Sequence, residues 1–406
     1  MIPVLIAAAA VGLGGLAWLL WQAYRKNAFM WLPGYLRGDW AGWRERNARG
    51  RAETVHVLLC IADHFEPGWE RPGPEIEMER VERWVREYPR VAGDFQDADG
   101  RPPRHTFFFP AEEYRPELLE RLTELVRSGY GEVEVHLHHD DDTAEGLKKK
   151  LREFVGRIEK HGLAARDRQT GQPGFAFVHG NWALDNSRPD GLWCGVNNEL
   201  QVLQECNCFA DFTLPSAPSA TQTSRVNSIY YAEDDPLLPK SHNDGIEAKQ
   251  GGGNPNGLML IQGPLCVGWR GLRFLSRPRI ENGNLAAGFP PAPRRMRDWL
   301  RAGVCVSVRP DVVFLKLYTH GCQPENADLL LGKPMREFHE YLHATLGKRG
   351  KYRLHYVTAR EMFNVAKAIE NGFTGDPGNC RDYRILPPEC VESNHREQSR
   401  TEVCVD

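Results

Sequence analysis

From residue 54 onward, short apolar runs alternate with longer amphipathic segments, and this alternation restricts the fold more than any other feature of the chain. Val55, Val57, Leu58, Leu59, Cys60 and Ile61 form a run rich in β-formers, as expected of a strand buried on both faces. An amphipathic segment predicts a helix over 75–95, 106–109 a second short strand, and 116–128 a helix stopped by Gly129. A third strand opens at Gly131 and leads into a helix over 143–161, capped by Thr143 and ended by Gly162, before a fourth strand at 175–178. Further on, helices are predicted at 198–206, 293–301 and 359–371, and strands at 209–214, 312–317 and 353–357. Strand and helix in this order predict an α/β fold of parallel strands with right-handed crossovers, either a barrel or a doubly wound sheet.

In both architectures chemistry collects at the carboxyl ends of the strands. Asp63, His138 and His179 stand at such ends, and so does the Tyr318-Thr319-His320-Gly321 stretch. On the third strand Val133, Val135 and Leu137 alternate with Glu134, His136 and His138, which puts an apolar set on one face and a polar set on the other. His139, Asp140, Asp141 and Asp142 then crowd the junction with the next helix. Nitrogen and oxygen donors at this density suit a divalent cation. A solvated acidic turn would give no reason for two histidines on one face of an apolar strand.

The order of strand ends resembles the polysaccharide deacetylase family, carbohydrate esterases built on a distorted, incomplete (β/α) barrel, over roughly 54–371. Ala62-Asp63-His64-Phe65 stands where that family has Thr-Phe-Asp-Asp-Gly, and His105-Thr106-Phe107-Phe108-Phe109-Pro110 is similar to its second strand. Glu134-Val135-His136-Leu137-His138 matches the first part of its third-strand motif, but the position four beyond His138 is Asp142 where the family has a second His. Phe177-Val178-His179-Gly180-Asn181-Trp182 fills the slot of the family's Arg-Pro-Pro-Tyr motif without its residues. Leu315-Lys316-Leu317-Tyr318-Thr319-His320 looks like its last motif, an apolar strand ending in Leu-His-Asp.

The resemblance implies a metal-dependent hydrolase that removes an acetyl or similar acyl group from an amino sugar or saccharide precursor. It implies His64, His138 and Asp142 as metal ligands, with His136, His139 or Asp140 as replacements, and a divalent metal best matched by zinc. Asp63 is then the general base, His320 the general acid, and His179, Asn181, Trp182 and Tyr318 the substrate contacts. Two alternatives stand beside it. One is a glycosidase pairing Asp63 with Asp185 or Glu66, and the other a catalytically diverged, membrane-anchored saccharide-binding protein.

The 406 residues, 41% of them hydrophobic, suffice for one barrel-sized domain. A formal charge of −3 and the lack of a basic stripe interleaved with aromatics argue against a nucleic-acid partner. Ten cysteines without a CxxC lean towards free thiols. No charge falls within 2–21, about the length of a membrane-spanning helix, and Arg25, Lys26, Arg37, Arg44, Arg46, Arg49 and Arg51 follow it. The expectation is a single-pass membrane protein with its main domain in the cytoplasm, the periplasmic or extracellular face being the alternative. Its substrate would be a saccharide, lipid-linked or nucleotide-linked if the domain faces the cytoplasm. The expected segments are a transmembrane anchor at 1–24, a basic juxtamembrane linker at 25–53, the barrel at 54–373 and a polar peripheral tail at 374–406. Within the barrel, 216–256 reads as a lid or a flexible insertion.

Overall fold

Each apolar run beyond residue 54 forms a strand, and the amphipathic segments between the early strands pack as helices against one face of a shared sheet. The computed structural model describes residues 2–253, 255–270, 277–346 and 350–392, with backbone alone at 2–12, 16, 39–41, 270, 277 and 391–392. Three helices come first: α1 (Ile2–Arg25), α2 (Ala28–Ala41) and α3 (Trp43–Arg51). Then follow β1 (Val55–His64), α4 (Pro74–Ala92), β2 (His105–Pro110), α5 (Pro116–Arg127), β3 (Gly131–Leu137), α6 (Ala144–Lys160), β4 (Ala165–Asp167) and β5 (Pro173–His179). The middle of the chain holds α7 (Glu199–Glu205), β6 (Cys208–Asp211), β7 (Ile229–Ala232), β8 (Ile246–Glu247), β9 (Leu258–Ile261), β10 (Cys266–Arg270) and β11 (Arg277–Glu281). Last come α8 (Pro293–Ala302), β12 (Val312–Thr319), α9 (Pro324–Leu330), α10 (Lys333–Leu346), β13 (Tyr352–Tyr356), α11 (Ala359–Glu370), β14 (Ile385–Leu386) and α12 (Glu389–Glu392).

The large sheet runs β12-β1-β2-β3-β5-β6-β9-β7-β8. Every ladder from β12 to β9 is parallel, as is the pairing of β13 with the first half of β1. Strand parity sorts the side chains. Leu59, Ile61, Phe107, Val133, Val135 and Leu137 join the apolar faces of α4, α5 and α6 in one core. Leu58, Cys60, Ala62, Phe108, Ala176 and Val178 pack on the opposite face with Met362, Phe363 and Ala366 of α11. Each fully buried Leu, Ile, Val or Phe contributes about 1.5–3 kcal/mol. No ladder joins β9 to β12 among the described residues. The buried Lys316 on β12 does reach across to donate to the carbonyls of Phe212 (2.6 Å) and Leu214 (2.7 Å).

The expected membrane anchor, and the membrane-bound localisation built on it, require correction. Among the described residues no helix is long and apolar enough to cross a membrane. The last turn of α1 is polar, with Gln22 and Arg25. Nor is 25–53 a free linker. Trp31 is buried with Ala217 and Leu265, and the Arg49 guanidinium donates to the carbonyls of Pro310 (2.8 Å), Leu300 (2.7 Å) and Gly303 (3.2 Å).

The 216–256 segment contributes β7 and β8, which extend the sheet by antiparallel pairing, and it buries Thr221, Gln222, Tyr230 and His242. The first part of the supposed tail is also packed in. Arg381 is buried and bonds Asp97 (2.8 Å), Asp99 (2.5 Å) and Glu361 (3.2 Å). Glu361 also pairs with Arg104, and Glu132 of β3 with Arg360 at 2.8 Å, so a buried ion network ties α11 to the sheet. Residues 393–406, with Cys404, lie outside the described residues, and the nine described cysteines are free and buried.

Candidate metal centre

Three strand ends converge on one carboxylate. β1 supplies His64 and, two residues on, Glu66; β3 supplies His136 and the His138 that follows it; His320 follows β12. The pairings of Ala62 with Tyr318, His64 with Phe108 and Pro110 with His136 bring these ends side by side. Glu66 Oε1 lies 3.4 Å from His136 Nε2 and 3.2 Å from His138 Nε2, and Oε2 accepts from His320 Nδ1 at 2.9 Å. The His64 ring stands 4.7 Å from His136 and 4.6 Å from His320 between ring centroids, with Trp182 and Tyr318 next to it at 5.3 and 6.3 Å.

The surroundings hold this arrangement. A Cβ on Gly180 would come 2.3 Å from the His138 ring, so only glycine leaves the imidazole its place. His138 Nδ1 donates to Glu112, an outer carboxylate that fixes the ring with Nε2 turned to Glu66. Trp182 has φ +55, a left-handed backbone uncommon for a bulky residue, in the turn that carries its indole against His320.

The electrostatics follow from four imidazoles around one buried carboxylate. Burial alone would raise Glu66, but the imidazoles of His136, His138 and His320 facing it outweigh burial and hold the carboxyl well below the usual range. Burial disfavours the charged form of His138, yet its bonds to Glu112 and Glu66 prevail and raise it to about 10. Burial, then the neighbouring His320 and His136, push His64 well below its ordinary value, and burial lowers His136 too.

These residues could hold a metal ion. One donor atom from each of Glu66, His136 and His138 lies within 4.8 Å of the others, a two-His-one-carboxylate set. Neither ring nitrogen of the fully buried His136 makes a well-formed hydrogen bond, and His64 Nδ1 has none. Buried polar atoms left so cost about 1–3 kcal/mol each, a cost that ligation of a shared cation would remove.

His64, His138, His320, Trp182 and Tyr318 are thus gathered as a group, whereas Asp142 is not. Its carboxylate turns to His139 Nδ1 (3.3 Å) and Lys150 Nζ (2.8 Å), because the chain bends after Leu137 and carries 139–142 towards the neighbouring loop, where the Asp142 amide meets the Cys194 carbonyl. Asp63 has the opposite parity from His64 and points to the helix-covered side. There it accepts from His105 Nε2 (2.8 Å) and the Gly321 amide (2.6 Å). His179 is buried against His139 and Glu199, and Asn181 is half-buried beside it. Asp185, one partner of the glycosidase alternative, sits at φ +56 with its carboxyl raised to about 9 by burial and then by Asp234.

Glu66 and Glu112 were the less legible members. The signal for Glu66 was parity, since it stands two residues after His64 as His138 stands two after His136. Beside Glu66 and His138 opens a cleft of about 930 Å³ lined by Trp69, Arg71, Glu113 and Arg115. Burial raises Glu113 to about 7. No protein-family model matches the chain, and no curated protein matches it; the deacetylase resemblance rests on the strand-end motifs alone.

Proposed function

We propose that this protein is a metal-dependent hydrolase that removes an acetyl or similar acyl group from an amino sugar or another saccharide, on an α/β sheet curved into an incomplete barrel. The observation that carries the reading is the convergence of His136, His138 and His320 on the single buried Glu66 carboxylate. Glu66, His136 and His138 would hold the cation, with His64 at its edge, and the mixed nitrogen and oxygen donors suit zinc. When bound, such a metal polarises a carbonyl and lowers the pKa of its water towards ~7.

The chain's own groups complete the chemistry. His320, tethered through Nδ1 to Glu66, is the group positioned to protonate a departing amine or alcohol. Glu113, a carboxyl that titrates near neutrality at the wall of the cleft, is suited to accept the proton of the attacking water. Asp63 is a positioning residue: by holding the Gly321 amide it fixes the turn that presents His320. Trp69, 6.2 Å from the His320 ring, and Trp182 offer flat apolar faces to a sugar ring. The reach of Lys316 towards Phe212 and Leu214 supports the incomplete-barrel description.

The test uses the full chain, stripped with chelator and reloaded with zinc, and measures acetate released from N-acetylated amino sugars and their oligomers. Expected is zinc-restored hydrolysis that Glu66→Gln abolishes. Zinc-loaded protein that releases no acetate, or hydrolysis that persists in Glu66→Gln, refutes the reading.

A further inference from the structure

A second set of donors lies behind the first. His139 follows β3, His179 closes β5, Cys194 sits in the connection from β5 to α7, and Glu199 opens α7. One donor atom from each lies within 4.8 Å of all the others, and all four residues are buried. His139 Nε2 is 3.1 Å and His179 Nε2 3.9 Å from Glu199 Oε1, and Cys194 Sγ is 3.3 Å from Glu199 Oε2.

Hydrogen bonding alone does not complete this cluster, because His179 Nε2 is wholly buried and has no partner. His139 Nδ1 is likewise without a hydrogen bond, though the Asp142 carboxylate stands 3.3 Å from it on the outer side, while Nε2 faces the cluster. The Asn181 amide N–H donates to the other nitrogen, His179 Nδ1, over a long 3.3 Å, so ligation through Nε2 requires that bond to break and the imidazole proton to move to Nδ1. Two imidazoles, a thiol and a carboxylate are the donors zinc takes in four-coordinate sites, and four protein ligands leave no open position for substrate.

We infer that His139, His179, Cys194 and Glu199 form a second, structural transition-metal site that clamps the ends of β3 and β5 to the start of α7. Metal binding replaces the thiol proton with a metal–sulfur bond and releases that proton to solvent. The site shares no ligand with the Glu66 centre and stands whether or not the protein is a hydrolase. It also gives Asp142 a part, as the outer carboxylate of His139.

Cobalt(II) distinguishes the two centres, because only this one contains sulfur. The full chain loaded with cobalt should show a thiolate-to-cobalt charge-transfer band in the near ultraviolet. Cys194→Ser should lose the band and Glu66→Gln keep it. If Cys194→Ser does not fold, X-ray absorption at the cobalt edge of the wild-type chain decides, with a sulfur scatterer expected at about 2.3 Å. A band that survives in Cys194→Ser, no band in the wild type, or a cobalt shell of nitrogen and oxygen alone overturns the site.

Discussion

The outer carboxylate Glu112 gives the Glu66 centre a pH signature that can be worked out from the structure. A metal needs a neutral imidazole. His136 and His64 are held neutral by burial, and Glu66 is held ionised, so neither histidine has a proton to lose at pH 7 and Glu66 is already a carboxylate. His138, raised to about 10 by Glu112 and Glu66, carries the one proton that binding must expel. Zinc affinity should therefore rise about tenfold per pH unit across the neutral and mildly alkaline range, about a hundredfold from pH ~7 to ~9. Glu112→Gln has two opposed effects. It removes the outer-shell support of His138, typically a 10–100-fold loss of affinity, and it lets His138 shed its proton at lower pH, which lessens the competition. The loss should be full only above pH ~10 and shrink steadily as pH falls towards ~7, so the variant's curve is the flatter one. Titration against a chromophoric chelator, corrected for the chelator's own protonation, measures both curves. A wild-type slope of zero, or curves that run parallel, would show that His138 is not the ligand that loses a proton.

Three other outcomes are expected. His320→Ala should lower kcat for saccharide deacylation by ~10² to 10⁴-fold, with zinc still bound by competition assay; unchanged kcat would remove His320 from the proton path. Gly180→Ala places a methyl 2.3 Å from the His138 ring and should weaken zinc binding while far-ultraviolet circular dichroism stays native; wild-type affinity would mean that the ring has room to move. Burial would raise Glu361, but Arg104, Arg381 and Arg360 outweigh it and depress it to about 2 from an ordinary 4.5. Its contribution to stability is present above about 4.5 and should be lost as pH falls through about 2. Denaturant unfolding along this range should show an acid loss that Glu361→Gln reduces, and identical pH profiles would refute the linkage.

How much was legible in the sequence depended on whether a residue's place is set by strand parity or by a loop. Val133, Val135 and Leu137 on one face and His136 and His138 on the other follow from period two alone, and the parallel order of the core follows from strand–helix alternation. The same rule separates Asp63 from His64, although a family motif read as a string of letters puts both at one site. Asp142 misled because four residues after a strand end is a loop position. There the path of the chain, set by the Asp142 amide on the Cys194 carbonyl, decides where a side chain goes. Cys194 and Glu199 had no local signal at all, since their meeting with His139 depends on how the β5–α7 connection folds back. The uncharged N-terminal run matched a membrane span in length, but nothing in its composition announced that the helices after it dock against 217–310.

That docking sets where the chain can be cut. An expression boundary drawn at Thr54 would fall one residue before β1 and would discard α2 and α3. Ala217 and Leu265 would lose the cover of Trp31, and the carbonyls of Leu300, Gly303 and Pro310 the guanidinium that caps them. Such a fragment would expose a fresh apolar patch, a feature associated with aggregation in destabilised proteins. A truncated form intended for crystals or assays should begin ahead of Ala28.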